Sequence, residues 1–158
     1  MLAAGEASRF GSPKQRLFLP AVLAALERSY VEQIVVVTGA YEVETEARVV
    51  HCAEWARGPG ASLRCGLATL SRGVDAAVVV LADGPQLDPR AVNRVVDAWR
   101  GGAGDALAAT YDGASRSHPV LLGRAEWELV PDEGARTLDV TLVACKDLTP
   151  PGDVDYAY

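Results

Sequence analysis

The stretch "DAAVVVLAD" at residues 75–83 is the most apolar segment of the chain. Its apolar residues are continuous and do not alternate with polar ones, which is typical of a β-strand buried on both faces. An aspartate stands at each end, and "GPQL" follows at residues 84–87 with the composition of a turn. The segment therefore predicts an interior strand of a parallel sheet.

Similar short apolar runs recur along the chain, and helical patterns lie between them. The further predicted strands are "QIVVVTG" (33–39), "RVVHC" (48–52), "DALAATY" (105–111) and "VTLVAC" (140–145), and the predicted helices span 21–29, 62–70 and 89–99. The last helix has Asp88 as its N-cap and Pro89 at its first position. This alternation predicts a three-layer α/β fold, with helices on both faces of a mostly parallel sheet.

The bulk properties indicate one globular domain spanning residues 1–158, since 158 residues suffice for a single core. A net charge of -6 and a pI near 4.9 argue against binding nucleic acid through its phosphates, which needs a basic face. No apolar run approaches the roughly 18 residues of a membrane span, and the first residues form neither the basic n-region nor the continuous apolar h-region of a signal peptide. We therefore expect a cytoplasmic protein without a membrane partner.

The three cysteines, Cys52, Cys65 and Cys145, are widely spaced and contain no C-x-x-C pair. This spacing favours neither a zinc site nor a disulfide framework. We expect three reduced, mostly buried thiols.

The opening stretch "LAAGEASRFGSPK" at residues 2–14 predicts a glycine-rich loop after a short strand. Small residues let an anion approach the backbone N–H groups, and Arg9 and Lys14 would add positive charge. The loop lacks the G-K-[ST] ending of a Walker A motif. The alternative is a glycine-rich turn with two solvated basic side chains.

Asp83 ends the apolar strand, where ligands bind in parallel sheets. A carboxylate at that edge suits Mg²⁺, which prefers one or two carboxylates together with substrate phosphates and water. Asp153 and Asp155 follow the last predicted strand, and at most one of them would reach the same metal, because they face opposite ways on an extended segment. The alternative is a simple Asp-Gly-Pro turn.

Three further segments carry candidate residues. Residues 56–70, "ARGPGASLRCGLATL", are predicted to form a glycine-rich turn that enters a helix with Ser62 at or near the cap. The backbone N–H groups at the start of this helix could bind a polar ligand. The alternative is that the segment only caps the helix. His118 precedes a proline and is expected to be extended, in a structural or a catalytic role. Asp132, Glu133 and Arg136 could form a functional cluster or only a charged helix start.

Taken together, these stretches resemble the MobA-like nucleotidyltransferase family. "LAAGEASRFGSPK" resembles the family pattern LAAGxSxRxGxxK, "GPGASLRCGL" resembles G-x-x-x-S-L-x-x-G-L, and "LADGPQL" resembles L-x-D-x-P-x-[LIV]. "SHPVLLGR", "DEGAR" and "DVD" follow in the family's order. The resemblance implies a Rossmann-like fold of the nucleotide-diphospho-sugar-transferase type.

The resemblance also implies an activity, which is transfer of a nucleoside monophosphate from a nucleoside triphosphate to an acceptor with release of pyrophosphate. It assigns Mg²⁺ to Asp83 and Asp155, and phosphate charge in catalysis to Arg9 and Lys14. The remaining nucleotide contacts fall on Leu2, Ala3, Ala4, Gly5, Ser62 and Leu63. His118 and Arg136 would face the acceptor.

The implied substrates are CTP and molybdopterin or a related phosphorylated acceptor, in molybdenum cofactor biosynthesis. Ala4 favours CTP over GTP, because family members with "LAAG" tend to use CTP and those with "LAGG" tend to use GTP. One alternative is an NAD(P)H-dependent enzyme resembling nicotine blue oxidoreductase, which "HPVLLGR" resembles, although no GxGxxG fingerprint is present. Another is a non-catalytic nucleotide-binding partner in molybdoenzyme maturation.

Overall fold

The computed structural model describes residues 1–5 and 14–152, with side chains from residue 16 onward in the second range. The strands are β1 (Leu2–Ala3), β2 (Val35–Thr38), β3 (Arg48–His51), β4 (Ala76–Val79), β5 (Ala106–Thr110), β6 (Ser117–Gly123) and β7 (Thr141–Ala144). The helices are α1 (Lys14–Glu27), α2 (Pro59–Ala68) and α3 (Pro89–Arg100), with short 3-10 helices at Trp55–Arg57, Arg124–Leu129 and Ala135–Thr137.

The strands form two hydrogen-bonded groups, β1-β2-β3 and β4-β6-β5-β7. A parallel bridge between Leu2 and Leu81 connects β1 to the chain directly after β4, so the two groups continue one another. β1, β2 and β3 are mutually parallel, and β5 is parallel to β7. β6 runs antiparallel to β4 and β5, so the sheet is mostly parallel, as predicted.

Helices cover both faces of this sheet because side chains alternate along the buried strands. Ala108 and Leu122 pack with Leu63 of α2 on one face. Leu107 and Leu121 pack with Val95 of α3 on the other. Helix α1 joins the α3 side, and this arrangement confirms the predicted three-layer α/β fold.

The predicted starts of helices α3 and α2 agree with the structure to different degrees. Helix α3 begins at Pro89, and Asp88 caps it by accepting a hydrogen bond from Arg90 N, as predicted. Helix α2 begins at Pro59 with Gly58 at the cap, so the predicted start at Ser62 is wrong. Proline is favoured at the first position of a helix, because the backbone N–H that it lacks would have no partner within the helix there. The helix therefore starts at Pro59, three residues before the predicted start.

Two further elements depart from the sequence pattern. Helix α1 extends from Lys14 through Pro20, well before the predicted start at residue 21, and it buries Leu19 and Val22. Strand β6 was predicted only as an extended segment around His118. Each of these elements contains a proline, Pro20 in α1 and Pro119 in β6. Packing against the buried strands outweighs the tendency of that proline to interrupt the element.

The expectation of three reduced thiols is wrong for two of them. Cys52, directly after β3, and Cys65 of α2 form a disulfide with their Cα atoms 5.8 Å apart. Cys145 is free and buried, as expected. The pairing follows from α2 packing beside β3, a contact that cysteine spacing does not reveal.

No helix within residues 1–5 and 14–152 combines the length and the apolarity needed to cross a membrane.

Candidate functional site

Three strand ends meet at the carboxyl edge of the sheet. Leu2 is aligned with Val37 on one side and with Leu81 on the other. On the Leu81 side the chain then turns, because Gly84 N donates to the Leu81 carbonyl oxygen (3.4 Å), and Asp83 lies in that turn. The start of the opening loop and the turn of Asp83, which are far apart in sequence, therefore lie next to each other.

The first residues of the opening loop leave this edge of the sheet. Ala3 and Ala4 are buried, Leu2 is half-buried and Gly5 is exposed. The carbonyl oxygen of Ala4 accepts a 3.2 Å hydrogen bond from Ala40 N, which fixes the loop against the end of β2. Arg9 lies outside the described residues, and Lys14 is placed only as the first residue of α1.

Gly39 has no space for a side chain at this position. A Cβ atom built on Gly39 would lie 2.5 Å from Trp55 Cβ and 2.8 Å from the Ala4 oxygen. Glycine is therefore required for the backbone of β2 to approach the opening loop this closely. The sequence offers a signal for this residue, since a glycine directly follows a valine-rich strand.

Asp83 lies half-buried in the turn that follows β4. Ala82 N donates to the Leu2 carbonyl oxygen (3.0 Å), and this bond holds the turn beside the opening loop. The C-terminal segment returns to the same turn, where Gln86 N donates to the Pro151 carbonyl oxygen (2.9 Å). A Cβ atom on Gly84 would lie 3.0 Å from Pro151 Cβ, so the chain at residues 151–152 packs directly against the neighbour of Asp83.

The second predicted metal ligand is Asp155, which lies outside the described residues together with Asp153. Among residues 1–5 and 14–152, no group of three or more His, Cys, Asp or Glu side chains could hold a metal ion. Carboxylate oxygens are nevertheless the donors that Mg²⁺ and Mn²⁺ accept, together with phosphate and water. Asp83 fits such an ion as a single protein ligand that a second carboxylate and a substrate would complete.

His118 lies near Asp83 in β6, which pairs with β4 on the side opposite β1. Burial lowers the pKa of its imidazole, the nearby Asp83 carboxylate acts in the opposite direction, and Arg116 lowers the pKa further. His118 is joined to Pro119 by a cis peptide bond, and its carbonyl oxygen accepts a 2.9 Å hydrogen bond from the Tyr111 hydroxyl. The sequence carried no signal for Tyr111.

A cavity of about 330 Å³ opens at this edge. It is lined by Val80, Leu81, Gly84, Leu87, Ser117, His118, Pro150, Pro151 and Gly152. His118 therefore faces a space shared by the turn after β4 and the C-terminal segment.

Ser62 and Leu63 are both buried in α2, where Ser62 is the fourth residue. The first turn of α2 packs against residues 131–132, because Gly60 N donates to the Asp132 carbonyl oxygen (2.9 Å). That N–H is therefore occupied within the chain and is not available to a ligand.

The Asp132 carboxylate lies between two arginines. It accepts hydrogen bonds from Arg64 and from Arg57, the latter at 3.3 Å. The guanidinium of Arg64, assisted by Arg57, holds the pKa of this carboxyl below its usual range. The sequence predicts Asp132 in a functional cluster or in a charged helix start, and no local signal indicates its pairing with Arg57 and Arg64.

Arg136 lies exposed in the 3-10 helix Ala135–Thr137. Arg116, just before β6, donates to the carbonyl oxygens of Ala135 (2.8 Å), Arg136 (3.0 Å) and Leu138 (2.6 Å). One guanidinium thus ties the segment around Arg136 to the start of the strand that carries His118. Arg116 thus positions the segment around Arg136, and nothing in the sequence near Arg116 predicts this role.

Comparison with known proteins agrees with the resemblance seen in the sequence. Residues 1–138 match the MobA-like NTP transferase domain. No curated protein sequence matches the chain.

Solved structures share the fold over nearly the whole chain. Rv0371c from Mycobacterium tuberculosis H37Rv is 26% identical with a TM-score of 0.76, and the match covers 98% of this chain and 90% of that one. A structure of Rv0371C in complex with manganese is 22% identical with a TM-score of 0.73, covering 97% and 90%. Molybdopterin-guanine dinucleotide biosynthesis protein A from Archaeoglobus fulgidus is 18% identical with a TM-score of 0.64, covering 92% and 82%.

Proposed function

Because the chain belongs to the MobA-like NTP transferase domain family of nucleotidyltransferases, we propose that it transfers CMP from CTP to molybdopterin or a related phosphorylated acceptor. An acceptor phosphate oxygen bonds to the α-phosphorus, the bond between the α-phosphorus and the bridging oxygen breaks, and pyrophosphate leaves with that electron pair. The observation that carries this proposal is that the start of the opening loop and the turn of Asp83 lie next to each other at one edge of the sheet, joined by the bond from Ala82 N to the Leu2 carbonyl oxygen.

The opening loop would hold the triphosphate. Backbone groups of Ala3, Ala4 and Gly5 lie at the carboxyl edge of the sheet, and the small size of these residues would let a ligand approach the main chain closely. Lys14 and Arg9 would bring positive charge to the phosphates and offset the charge that develops as pyrophosphate leaves. Such a reaction depends on alignment and charge and needs no protein nucleophile.

A divalent cation, Mg²⁺ in this proposal, would be held by Asp83 and Asp155. When bound, it supplies positive charge that polarises the phosphate oxygens. The support is the bond from Gln86 N to the Pro151 carbonyl oxygen, which brings the C-terminal segment to the turn of Asp83 only a few residues before Asp155. Asp83 would hold the ion from the turn that follows β4, and Asp155 would approach it from the C-terminal segment.

The acceptor would enter from the side of His118. Its imidazole faces the cavity beside Gly84, and its lowered pKa keeps it neutral at pH 7, when it can both donate and accept a hydrogen bond. Arg136 would meet acceptor charge from the segment that Arg116 ties to β6. Ser62 and Leu63 would contact the base, and Ala4 would favour cytosine over guanine.

The test is incubation of the protein with each nucleoside triphosphate, Mg²⁺ and molybdopterin, with pyrophosphate release as the readout. We expect release with CTP above release with GTP, and none without acceptor. Parallel measurement of NAD(P)H oxidation with a quinone-type dye should give no turnover. Absence of pyrophosphate with every triphosphate would refute the proposal, and nucleotide binding without turnover would instead support a non-catalytic maturation partner.

The phosphate role of Lys14 has a separate test. Lys14→Ala should weaken CTP binding at least about tenfold, because a charge-assisted contact is worth about 1.5–3 kcal/mol. Arg72→Ala, which removes an exposed charge after α2, is the control and should leave binding unchanged. Equal affinities of the two variants by calorimetry would show that Lys14 does not contact the phosphates.

A further inference from the structure

The segment of residues 131–138, which we call the acceptor-side segment because it carries Arg136, is held at both of its ends. Its start packs on the first turn of α2, where Gly60 N donates to the Asp132 carbonyl oxygen (2.9 Å). Its end is held by Arg116, just before β6, which donates to three of its carbonyl oxygens. The position of Arg136 therefore depends on contacts with two different elements.

The α2 end of this segment lies close to the opening loop. The 3-10 helix Trp55–Arg57 comes directly before the cap of α2. A Cβ atom on Gly39, directly after β2, would lie 2.5 Å from Trp55 Cβ and 2.8 Å from the Ala4 carbonyl oxygen. Arg57 and the first turn of α2 therefore lie at the carboxyl edge of the sheet, where we propose that the nucleotide binds.

Each oxygen of the Asp132 carboxylate accepts a hydrogen bond from a different arginine. Oδ1 accepts from Arg64 of α2, and Oδ2 accepts from Arg57 (3.3 Å). Arg64 also donates to the Val130 carbonyl oxygen (2.7 Å). Arg57 also donates to the Glu54 carboxylate (3.1 Å). Because both arginines are held by a second acceptor, they fix the orientation of the Asp132 carboxylate and the place of residue 132 relative to α2.

Stability does not account for this network. The side chains of Arg57, Arg64 and Asp132 are 54%, 32% and 41% exposed. Ion pairs that are this exposed contribute little to the free energy of unfolding. Helix α2 is held in place by Leu63 and Leu67, which are buried in the core. Loss of the network should therefore leave α2 where it is.

The acceptor-side segment, in contrast, has little buried surface of its own. Among residues 131–138, all of which lie in the described part of the chain, only Gly134 is buried. Ala135 and Leu138 pack half-buried against the core. Hydrogen bonds therefore fix much of the segment's position, and those of Asp132 set its distance from α2.

We propose that Asp132 is a positioning residue of the transfer reaction, which sets the distance between the nucleotide contacts of α2 and Arg136 of the acceptor-side segment. This inference rests on the proposed function and adds to it a residue that acts through Arg136. Arg136 follows Asp132 by four residues, and its side chain is exposed. Removing the Asp132 charge would keep α2 in place and let Arg136 move. Acceptor binding should therefore depend on Asp132, and CTP binding should not.

The test compares Asp132→Asn with Asp147→Asn as the matched control. Asp147 likewise accepts hydrogen bonds from an arginine on a helix, Arg94 of α3 (2.6 and 2.7 Å), and its side chain is exposed. Pyrophosphate release is measured with CTP, Mg²⁺ and varied molybdopterin. In Asp132→Asn the acceptor KM should rise at least about tenfold, because a misplaced Arg136 loses a charge-assisted contact. Its kcat, CTP affinity and Tm should remain those of the parent, and Asp147→Asn should keep the parental acceptor KM.

Two further measurements separate positioning from a general structural effect. If Asp132 acts through Arg136, the Asp132→Asn/Arg136→Ala variant should have the same acceptor KM as Arg136→Ala alone. Amide exchange tests the network without any substrate. The N–H of Gly60, which donates to Asp132, should exchange at least about fivefold faster in Asp132→Asn than in Asp147→Asn.

Three results would overturn the inference. The first is pyrophosphate release with equal acceptor KM values in Asp132→Asn and Asp147→Asn. The second is an acceptor KM in the double variant that exceeds that of Arg136→Ala by the full effect of Asp132→Asn. The third is an unchanged exchange rate at Gly60. Absence of pyrophosphate release from the parent would instead refute the proposed function, and the exchange rate would still decide whether Asp132 holds the segment.

Discussion

Gly60 of α2 provides a substitution for which helix propensity and tertiary packing predict opposite signs. Gly60 is the second residue of α2, where alanine is favoured over glycine by up to about 1 kcal/mol, the difference found in helix interiors. In the structure, however, a Cβ atom on Gly60 would overlap the Pro131 carbonyl oxygen and lie 2.6 Å from the Pro131 carbonyl carbon. These are backbone atoms of a segment fixed by the bond from Gly60 N to Asp132 O (2.9 Å) and by the arginines that hold Asp132.

The magnitude of the effect of Gly60→Ala follows from these contacts. Overpacking costs about 1–3 kcal/mol and loss of the hydrogen bond to Asp132 about 0.5–1.5 kcal/mol. Subtracting the gain in helix propensity of about 1 kcal/mol leaves a net destabilisation of about 2 kcal/mol. For a chain of this size, Tm should fall by about 4–8 °C.

Urea denaturation monitored by circular dichroism measures this change. Gly73→Ala is the matched control, because a Cβ atom there meets nothing within 4 Å. The control should be neutral or stabilised by up to about 1 kcal/mol. If Gly60→Ala is as stable as the unsubstituted chain, residues 131–132 do not pack on α2 as described, and the reasoning fails.

Two further predictions concern stability. Reduction of the Cys52–Cys65 disulfide, or the Cys52→Ser/Cys65→Ser variant, should cost about 3 kcal/mol, and thiol titration giving three free thiols in the unfolded, untreated protein would refute the bond. Trp127→Phe removes the indole N–H that donates to the Leu122 carbonyl oxygen in the core (3.0 Å) and should cost about 0.5–1.5 kcal/mol, whereas a calorimetric Tm equal to that of the parent would contradict it.

Much of the fold was predictable because its signals are local. The run of valines in β4 and the Asp88–Pro89 start of α3 each reflect the environment of one element. The nearness of the opening loop to the turn of Asp83 was predictable as well, since parallel strands bring their carboxyl ends to one edge.

What the sequence did not predict depends on contacts between distant segments. Nothing around Cys52 or Cys65 indicates that β3 and α2 lie close enough for a disulfide. Because serine is a good cap, the sequence predicts that α2 starts at Ser62, whereas the Pro131–Asp132 backbone packs on the actual first turn and requires Gly60. Arg116 likewise acts on carbonyl oxygens about twenty residues away.

The central claim, that Asp83 holds the catalytic cation, is tested most directly by the rate of pyrophosphate release in the Asp83→Asn variant. Asp75→Asn is the matched control, because Asp75 precedes the amino end of the same strand whose carboxyl end leads to Asp83. With CTP, Mg²⁺ and molybdopterin, Asp83→Asn should lose at least about 100-fold in rate while its circular dichroism and Tm remain those of the parent. Asp75→Asn should keep the parental rate. Equal rates for Asp83→Asn and the parent would contradict the account.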